Sequence, residues 1–325
     1  MHFVGIDISK SKVDLAWLRD EQNNKVKTKI FKNNLDGFDQ IAKWLVAQTK
    51  DVPDAIYVAM EATGVYHEGL AYSLHSRGFK VSVVNPALLH NYAKSQSTIH
   101  KTDKRDSLVI ARFCLKEKPD LWQPEPENIR KLKALLTRLE ALDQDIRREL
   151  NRLEAAEITR ASPLVLESIH SMIGQLKKEQ AHLNKEIDDH IDKDLDLKRD
   201  RQLLESIPGI GPVIARYMIM VVRSRPFKNA PQVAAYLGVI PRLVESGTMK
   251  GRSFLSKRGP SNVRAKLYMA AISATQYNPD IKRQRQRLLA NSKTKMQALC
   301  AGMRKLVHIC FGVLKHQTEY QPQAI

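Results

Sequence analysis

The apolar residues of this chain change their period near residue 125, and that change limits what the chain can fold into. Up to about Asn85 they form short runs and alternations: His2 to Ile8, Val13 to Leu18, a weaker alternation from Val26 to Phe31, Ala55 to Met60, and Lys80 to Val84. Runs of this length bounded by polar turns predict strands. Between them Phe38, Ile41, Ala42, Leu45 and Val46 fall at helical spacing, as do Leu70 and Leu74 ahead of Gly78. The order of three strands, helix, strand, helix, strand fits a mixed sheet with helices on its faces. From Pro126 to Ile191 the spacing becomes three-four. Ile129, Leu132, Leu135, Leu139, Leu142, Ile146 and Leu153 lead to Ser162-Pro163, and Ile169, Met172, Ile173, Leu176, Leu183, Ile187 and Ile191 follow. Two long helices about a Ser-Pro break predict a helical hairpin or coiled coil, either a spacer or a dimerisation seam, and so narrow a stripe favours self-association. From Leu203 the chain reads as mostly helical. It ends in a helix from Met296 to Leu314, with Leu299, Met303, Leu306, Val307, Cys310 and Val313 on one face, and a loose tail from Gln317 to Ile325. The expected architecture is α/β plus all-α, with domains at residues 1–125, 126–200 and 201–325.

Charge is divided as unevenly as the pattern. Residues 207–325 hold 20 Lys and Arg and three acids (Glu245, Asp280, Glu319), a net of +17, whereas the first 206 residues hold 33 and 32. A balance this one-sided predicts that the C-terminal third faces a polyanion, nucleic acid. With 43% hydrophobic residues the chain can bury a core. No apolar run reaches the roughly 18 residues of a bilayer span, and MHFVGIDISKSK lacks the apolar stretch of a signal peptide. A cytoplasmic protein with no membrane partner is expected. Cys114, Cys300 and Cys310 are too few for a disulfide framework or a zinc cluster, and Cys310 on its apolar face reads as a small core residue.

Acids stand where the strands end. Asp7 follows Phe3-Val-Gly-Ile6 and Glu61 follows Ile56-Tyr-Val-Ala-Met60, so neighbouring strands would deliver both carboxylates to one sheet edge. Lys101-Thr-Asp103-Lys-Arg-Asp106 adds two acids at i and i+3, one face of a helix. Any one of these acids alone is more often a cap or a solvated side chain. Four converging carboxylates repel one another unless cations neutralise them, and oxygen-only ligands suit Mg²⁺ or Mn²⁺, two of which can clamp a phosphodiester. The order strand-Asp, strand-Glu, helix Asp-x-x-Asp resembles the RuvC-like branch of the ribonuclease H fold, whose nucleases carry a metal-binding acidic tetrad. The actin-like sugar kinases also open on Gly-Ile-Asp, but Ile8-Ser-Lys-Ser11 lacks the glycine their phosphate turn usually offers.

The basic third offers a second candidate site. Ile207-Pro-Gly209-Ile-Gly211 ahead of Pro212-Val-Ile-Ala-Arg216 looks like the hairpin of a helix-hairpin-helix element, in which glycine N–H groups and a helix N-terminus meet a phosphate. An ordinary Pro/Gly linker is the alternative. Further on come Ser246-Gly247, Lys250, Arg252, Lys257, Arg258 and Arg264, then Lys282, Arg283, Arg285 and Arg287 on a stretch that is equally readable as a solvated helix face. A serine before glycine in such a loop is ordinarily a turn residue, and no Ser-His-Asp order accompanies it.

Taken together, Gly5-Ile-Asp-Ile-Ser-Lys-Ser-Lys-Val-Asp14, Glu61-Ala-Thr-Gly64, Asn85-Pro-Ala87, Lys101 to Asp106, Ile207 to Gly211, and Leu237-Gly-Val-Ile-Pro241 through Ser246-Gly247 resemble the IS110 family of insertion-sequence transposases, related to the Piv-type DNA invertases. Each motif is weak alone; six in the family's order and spacing, over nearly the whole chain, are specific. Ser107 departs from the alanine usual after the last aspartate, and Gln96-Ser-Thr98 lacks a usual glycine.

The resemblance implies a RuvC-like domain, a coiled-coil hairpin and a basic helical transposase domain. It places a Mg²⁺- or Mn²⁺-binding tetrad on Asp7, Glu61, Asp103 and Asp106 and the nucleophile on Ser246, joined in a composite site that forms a 5′-phosphoserine link to DNA. The implied partners are donor and target DNA, a noncoding bridge RNA that pairs with both, and further copies of the chain, a dimer and then a tetramer as a dimer of dimers. No base-reading module is evident, so the protein would supply phosphate and shape contacts, with Gly209, Gly211 and the cations above as candidates. A plain RuvC-like nuclease, a DNA invertase, and a non-catalytic nucleic-acid-binding protein remain alternatives.

Overall fold

A computed structural model describes residues 1–20, 25–95, 103–242, 254–257 and 259–323, with the backbone alone at 20 and 103–105. It contains two compact units, Met1–Pro124 and Glu125–Ile325.

The first unit is built on a five-stranded sheet. Strands β1 (His2–Ile8), β2 (Lys12–Asp20) and β3 (Lys25–Lys32) form an antiparallel meander, and β4 (Ile56–Glu61) and β5 (Lys80–Val84) add parallel to β1, giving the order β3-β2-β1-β4-β5. Val4, Ile6 and Ile8 of β1 point into the larger core, shared with Phe38, Ile41 and Leu45 of α1 (Leu35–Thr49) and Leu70 and Leu74 of α2 (Glu68–Ser76). Phe3 points the other way, into a core with Leu89 of α3 (Pro86–Ser95) and Ile110, Ala111 and Cys114 of α4 (Asp103–Glu117). A central strand covered on both faces must be apolar on both, which is why His2–Ile8 reads as a continuous run. Edge strand β5 is sealed by the segment after α4. Trp122 N donates to Val81 O at 2.7 Å, Ser82 Oγ to Pro119 O at 3.2 Å, and the Trp122 ring stands edge-on to Tyr72 at 4.9 Å.

The second unit opens with α5 (Glu127–Ile158) and α6 (Pro163–Lys193), a hairpin turning at Ser162, with Pro163 in the first turn of α6 where its missing N–H costs nothing. Its inner half is core: Leu132, Leu136 and Leu142 pack in one cluster with Leu183, Ile187 and Ile191 and with the helices that follow. Leu136, not the expected Leu135, takes the fully buried place, because a four-residue step from Leu132 keeps the stripe on the same face. The outer half leaves Leu150, Ile158, Leu164, Val165 and Met172 exposed. Then come α7 (Leu195–Glu205), α8 (Pro212–Arg223), α9 (Ala230–Tyr236), a short ladder of β6 (Pro241–Arg242) with β7 (Phe254–Leu255), and α10 (Ser261–Tyr277), α11 (Pro279–Ala290) and α12 (Lys295–His316). By length and composition α12 is apolar enough to cross a membrane, but Met303, Leu306, Val307, Cys310, Val313 and Leu314 are buried in the core of this unit. Burial pushes the Cys310 thiol up to about 12, as a core residue requires.

The tail corrects the expectation of a loose end. Gln317 Nε2 donates to Asp200 Oδ1 at 2.9 Å, Tyr320 N to Ser206 Oγ at 2.9 Å, and Tyr320 OH to Asp280 Oδ2 at 2.8 Å. Gln323 O accepts from Arg283 at 3.2 Å. Side chains far away in sequence hold it, and no periodicity announces such partners.

Candidate active site and nucleic-acid interface

The parallel register of β1 and β4 sets Gly5 against Ala59 and, as its last pair, Ile6 against Met60; Asp7 and Glu61 are the next residue on each strand. Neighbouring strands run about 4.8 Å apart and side chains alternate, which puts both half-buried carboxylates on the face that Phe3 and Ala59 share with α4. What seats α4 there is Gly5. A Cβ on Gly5 would lie 2.1 Å from Ser107 O and 2.2 Å from Ala111 N, so helix backbone rests directly on strand backbone. Asp106 therefore travels on the turn that meets β1. Ser107, where the family's pattern has alanine, is buried against the strand.

The antiparallel side adds a carboxylate that the Gly5–Asp14 motif contains without a site role assigned to it. Asp14 of β2 stands opposite Asp7, is buried, and pairs with Lys12 Nζ at 3.1 Å. Its signal was its place in strand register with Asp7, which becomes visible only once the strands are paired. Asp103 lies on α4, but its side chain is outside the described residues. Among the described residues no three His, Cys, Asp or Glu side chains come together as a metal group. The donor set still fits a divalent cation in chemistry: Asp7 and Glu61 offer only oxygen, side by side on one sheet face, the arrangement hard ions such as Mg²⁺ and Mn²⁺ accept.

In the second unit the hairpin glycines separate into two roles. Gly209 has φ +100°, and a Cβ there would lie 2.6 Å from Ala274 Cβ and 2.8 Å from the Ala274 Cα and N, so it is the contact between hairpin and α10. Gly211, at the N-cap of α8, has open space where a side chain would go. It and the first turn of α8 are the part of the hairpin that can meet a phosphate.

The cations also divide. Arg264 gives its guanidinium to Gly259 O at 2.8 Å and Leu237 O at 3.3 Å, and Arg283 pairs with Asp280 at 3.3 Å. Arg216 and Arg223, which pair with Asp188 and Asp200 at 2.6 Å, tie α8 to α6 and α7. Lys257, Lys282 and Arg287 are exposed and Arg285 is half-buried. Ser246, Gly247, Lys250, Arg252 and Arg258 lie outside the described residues; the strands of the β6–β7 ladder flank the segment that carries Ser246.

Carboxylates along one sheet face of the first unit, followed in the chain by a strongly basic helical unit, fit the class of proteins that act on nucleic acid. Residues 4–156 match the DEDD transposase family model of the IS110 elements, and residues 201–286 match the family described as "Transposase IS116/IS110/IS902 family". The chain is 32% identical over 322 residues to the pilin gene-inverting proteins of Moraxella lacunata and Moraxella bovis, covering 98% of this chain and 97% of each relative. It is 25% identical over 299 residues to a probable family 20 transposase of Pseudomonas aeruginosa, covering 82% and 86%. The chain belongs to the IS110 transposase family, with the pilin gene-inverting proteins among its relatives.

Proposed function

We propose that this protein breaks and rejoins DNA strands through a covalent serine link, at sites chosen by a noncoding bridge RNA, with a Mg²⁺- or Mn²⁺-dependent acidic centre. The observation that carries the reading is that Asp7 and Glu61 directly follow the last β1–β4 pair on neighbouring strands, with α4 seated against β1 at Gly5. The mixed sheet with acids at the carboxyl ends of its parallel strands supports the RuvC-like assignment. Asp7, Glu61 and Asp106, with Asp103, would hold the ion, which when bound withdraws electron density from a phosphate and eases attack on it.

The chain's own groups do the rest. Ser246 Oγ attacks the phosphorus of a DNA phosphodiester, its proton leaves, and the 3′ oxygen departs and is protonated, giving a 5′-phosphoserine link. A 3′-hydroxyl from another strand then displaces the serine, so no net hydrolysis occurs. Gly211 N–H, the α8 N-terminus and Lys257, Lys282 and Arg287 bind backbone phosphates. Because one serine handles one strand, joining two DNAs needs several copies, a dimer assembling into a tetramer. Inversion of a DNA segment is favoured as a second reading by the near full-length match to the gene-inverting proteins at 32% identity, against 25% for the transposase.

The test is a covalent protein–DNA adduct. Wild type, Ser246→Ala and Asp7→Ala are incubated with Mg²⁺, element RNA and plasmids bearing the junctions, then run on denaturing gels and peptide-mapped. An adduct on Ser246, lost in both variants, is expected. Metal-dependent cutting without an adduct, retained in Ser246→Ala, returns the chain to the simple nuclease class.

A further inference from the structure

The cation most out of place in the second unit is Arg225, between α8 and α9. Its guanidinium lies 4.4 Å from the centre of the Tyr236 ring, and Phe227 stands 5.7 Å from the same ring at 57°. Arg225 and Lys228 are exposed, and neither has an ion pair among the described residues, whereas Arg223, two residues earlier, is neutralised by Asp200. Acids to balance them are scarce. Of the three in residues 207–325, Asp280 is committed to Arg283 and Tyr320.

The position matters as much as the charge. Tyr236 ends α9, and the turn after it carries the foot of the β6–β7 ladder: Lys257 N donates to Gly238 O at 3.1 Å and Ser256 N to Ile240 O at 2.9 Å. Tyr236 thus lies two residues before Gly238, where these backbone hydrogen bonds anchor the foot of the ladder. The Arg225 guanidinium also lies over Phe227, 5.9 Å from its ring centre, yet the residue remains exposed, and a guanidinium is planar, weakly hydrated and cationic. Bases stack on such planes. Paired bases have both faces covered by their neighbours in the duplex, so only an unpaired base can lie down there.

We propose that Arg225, backed by Tyr236, stacks an unpaired base of a nucleic-acid strand near the foot of the β6–β7 ladder, so that the site distinguishes opened strands from intact duplex. The inference rests on the strand-transfer reading, since an opened strand is what that chemistry must hold. A single-stranded DNA or a single-stranded RNA offers the same face.

The experiment uses the full chain and Arg225→Lys, which keeps the charge and loses the plane. Fluorescein-labelled 12-nucleotide single strands, DNA and RNA of one sequence, and the matching DNA duplex are titrated by anisotropy with EDTA present. Arg225→Lys is expected to weaken binding of at least one single strand about fivefold or more. Duplex affinity should stay within about twofold and the salt dependence should not change, because phosphate charge is still matched. The strand that loses affinity names the source of the base. Equal loss on single strand and duplex, loss on duplex alone, or no loss on any probe overturns the proposal. Binding is read without strand cutting. A missing Ser246 adduct in wild type would therefore refute the recombinase reading alone, and an unchanged Arg225→Lys would refute this one alone.

Discussion

Gly5→Ala tests whether the helix that carries Asp106 is set by one missing side chain. The new Cβ would stand 2.1 Å from Ser107 O and 2.2 Å from Ala111 N, both backbone atoms that no rotamer change can move. Restoring an ordinary contact of 3.4 Å requires α4 to withdraw by about 1.3 Å. Overpacking of this kind costs about 1–3 kcal/mol. A displacement of about 1 Å near reacting groups costs on the order of a hundredfold in rate. The chain's three tryptophans, Trp17, Trp44 and Trp122, all lie in the first unit, so their fluorescence in a urea titration reports that unit alone. With a slope of about 2 kcal/mol per molar, the midpoint should fall by about 0.5–1.5 M. The Ser246 adduct should drop at least about a hundredfold under conditions where the variant is still folded, while duplex binding by the second unit persists. A wild-type midpoint together with full adduct yield would show that α4 does not rest on β1 at Gly5.

Two further perturbations probe the second unit. Lys282→Ala with Arg287→Ala should lower the slope of log affinity against log salt by about 1.4–1.8, whereas Arg283→Ala should change unfolding more than the slope, because Arg283 is spent on Asp280 and Gln323 O; equal slope changes in both would contradict the division. Tyr320→Phe removes the donor to Asp280 Oδ2 and should cost about 1.5 kcal/mol in thermal unfolding followed by circular dichroism. Partial burial, then Asp280 nearby, pushes the Tyr320 phenol up to about 12 from an ordinary 10. The folded state therefore holds the proton more tightly, and the stability this gives is whole below pH 10 and lost between pH 10 and 12. Tyr320→Phe should flatten that alkaline loss, and an unchanged alkaline limb would remove Tyr320 from it.

Much of the first unit is legible in the sequence alone. The five strands fall where short apolar runs are bounded by polar turns, and Asp7 and Glu61 were found as acids at strand ends. Asp14 stands in a quoted motif but its place beside Asp7 is not legible there, since its partner across the sheet is set by antiparallel register and not by spacing along the chain. The Arg225–Tyr236 platform is illegible for a similar reason: eleven positions separate the two residues, and only the turn between α8 and α9 brings the guanidinium over the ring. The tail failed differently. Gln317, Tyr320 and Gln323 look like the polar end of a chain, yet their partners Asp200, Ser206 and Asp280 lie 40 or more residues away.

By itself the sequence determined the period of each segment, the charge of each half and the family, because hydrophobic spacing, net charge and ordered motifs are properties of the chain read in one dimension. Tertiary structure decided which carboxylates share a rung, which glycine bears a helix and which is open, and which arginines are already neutralised. Those depend on distances between residues remote in the chain, and a distance exists only after strands have paired and helices have packed.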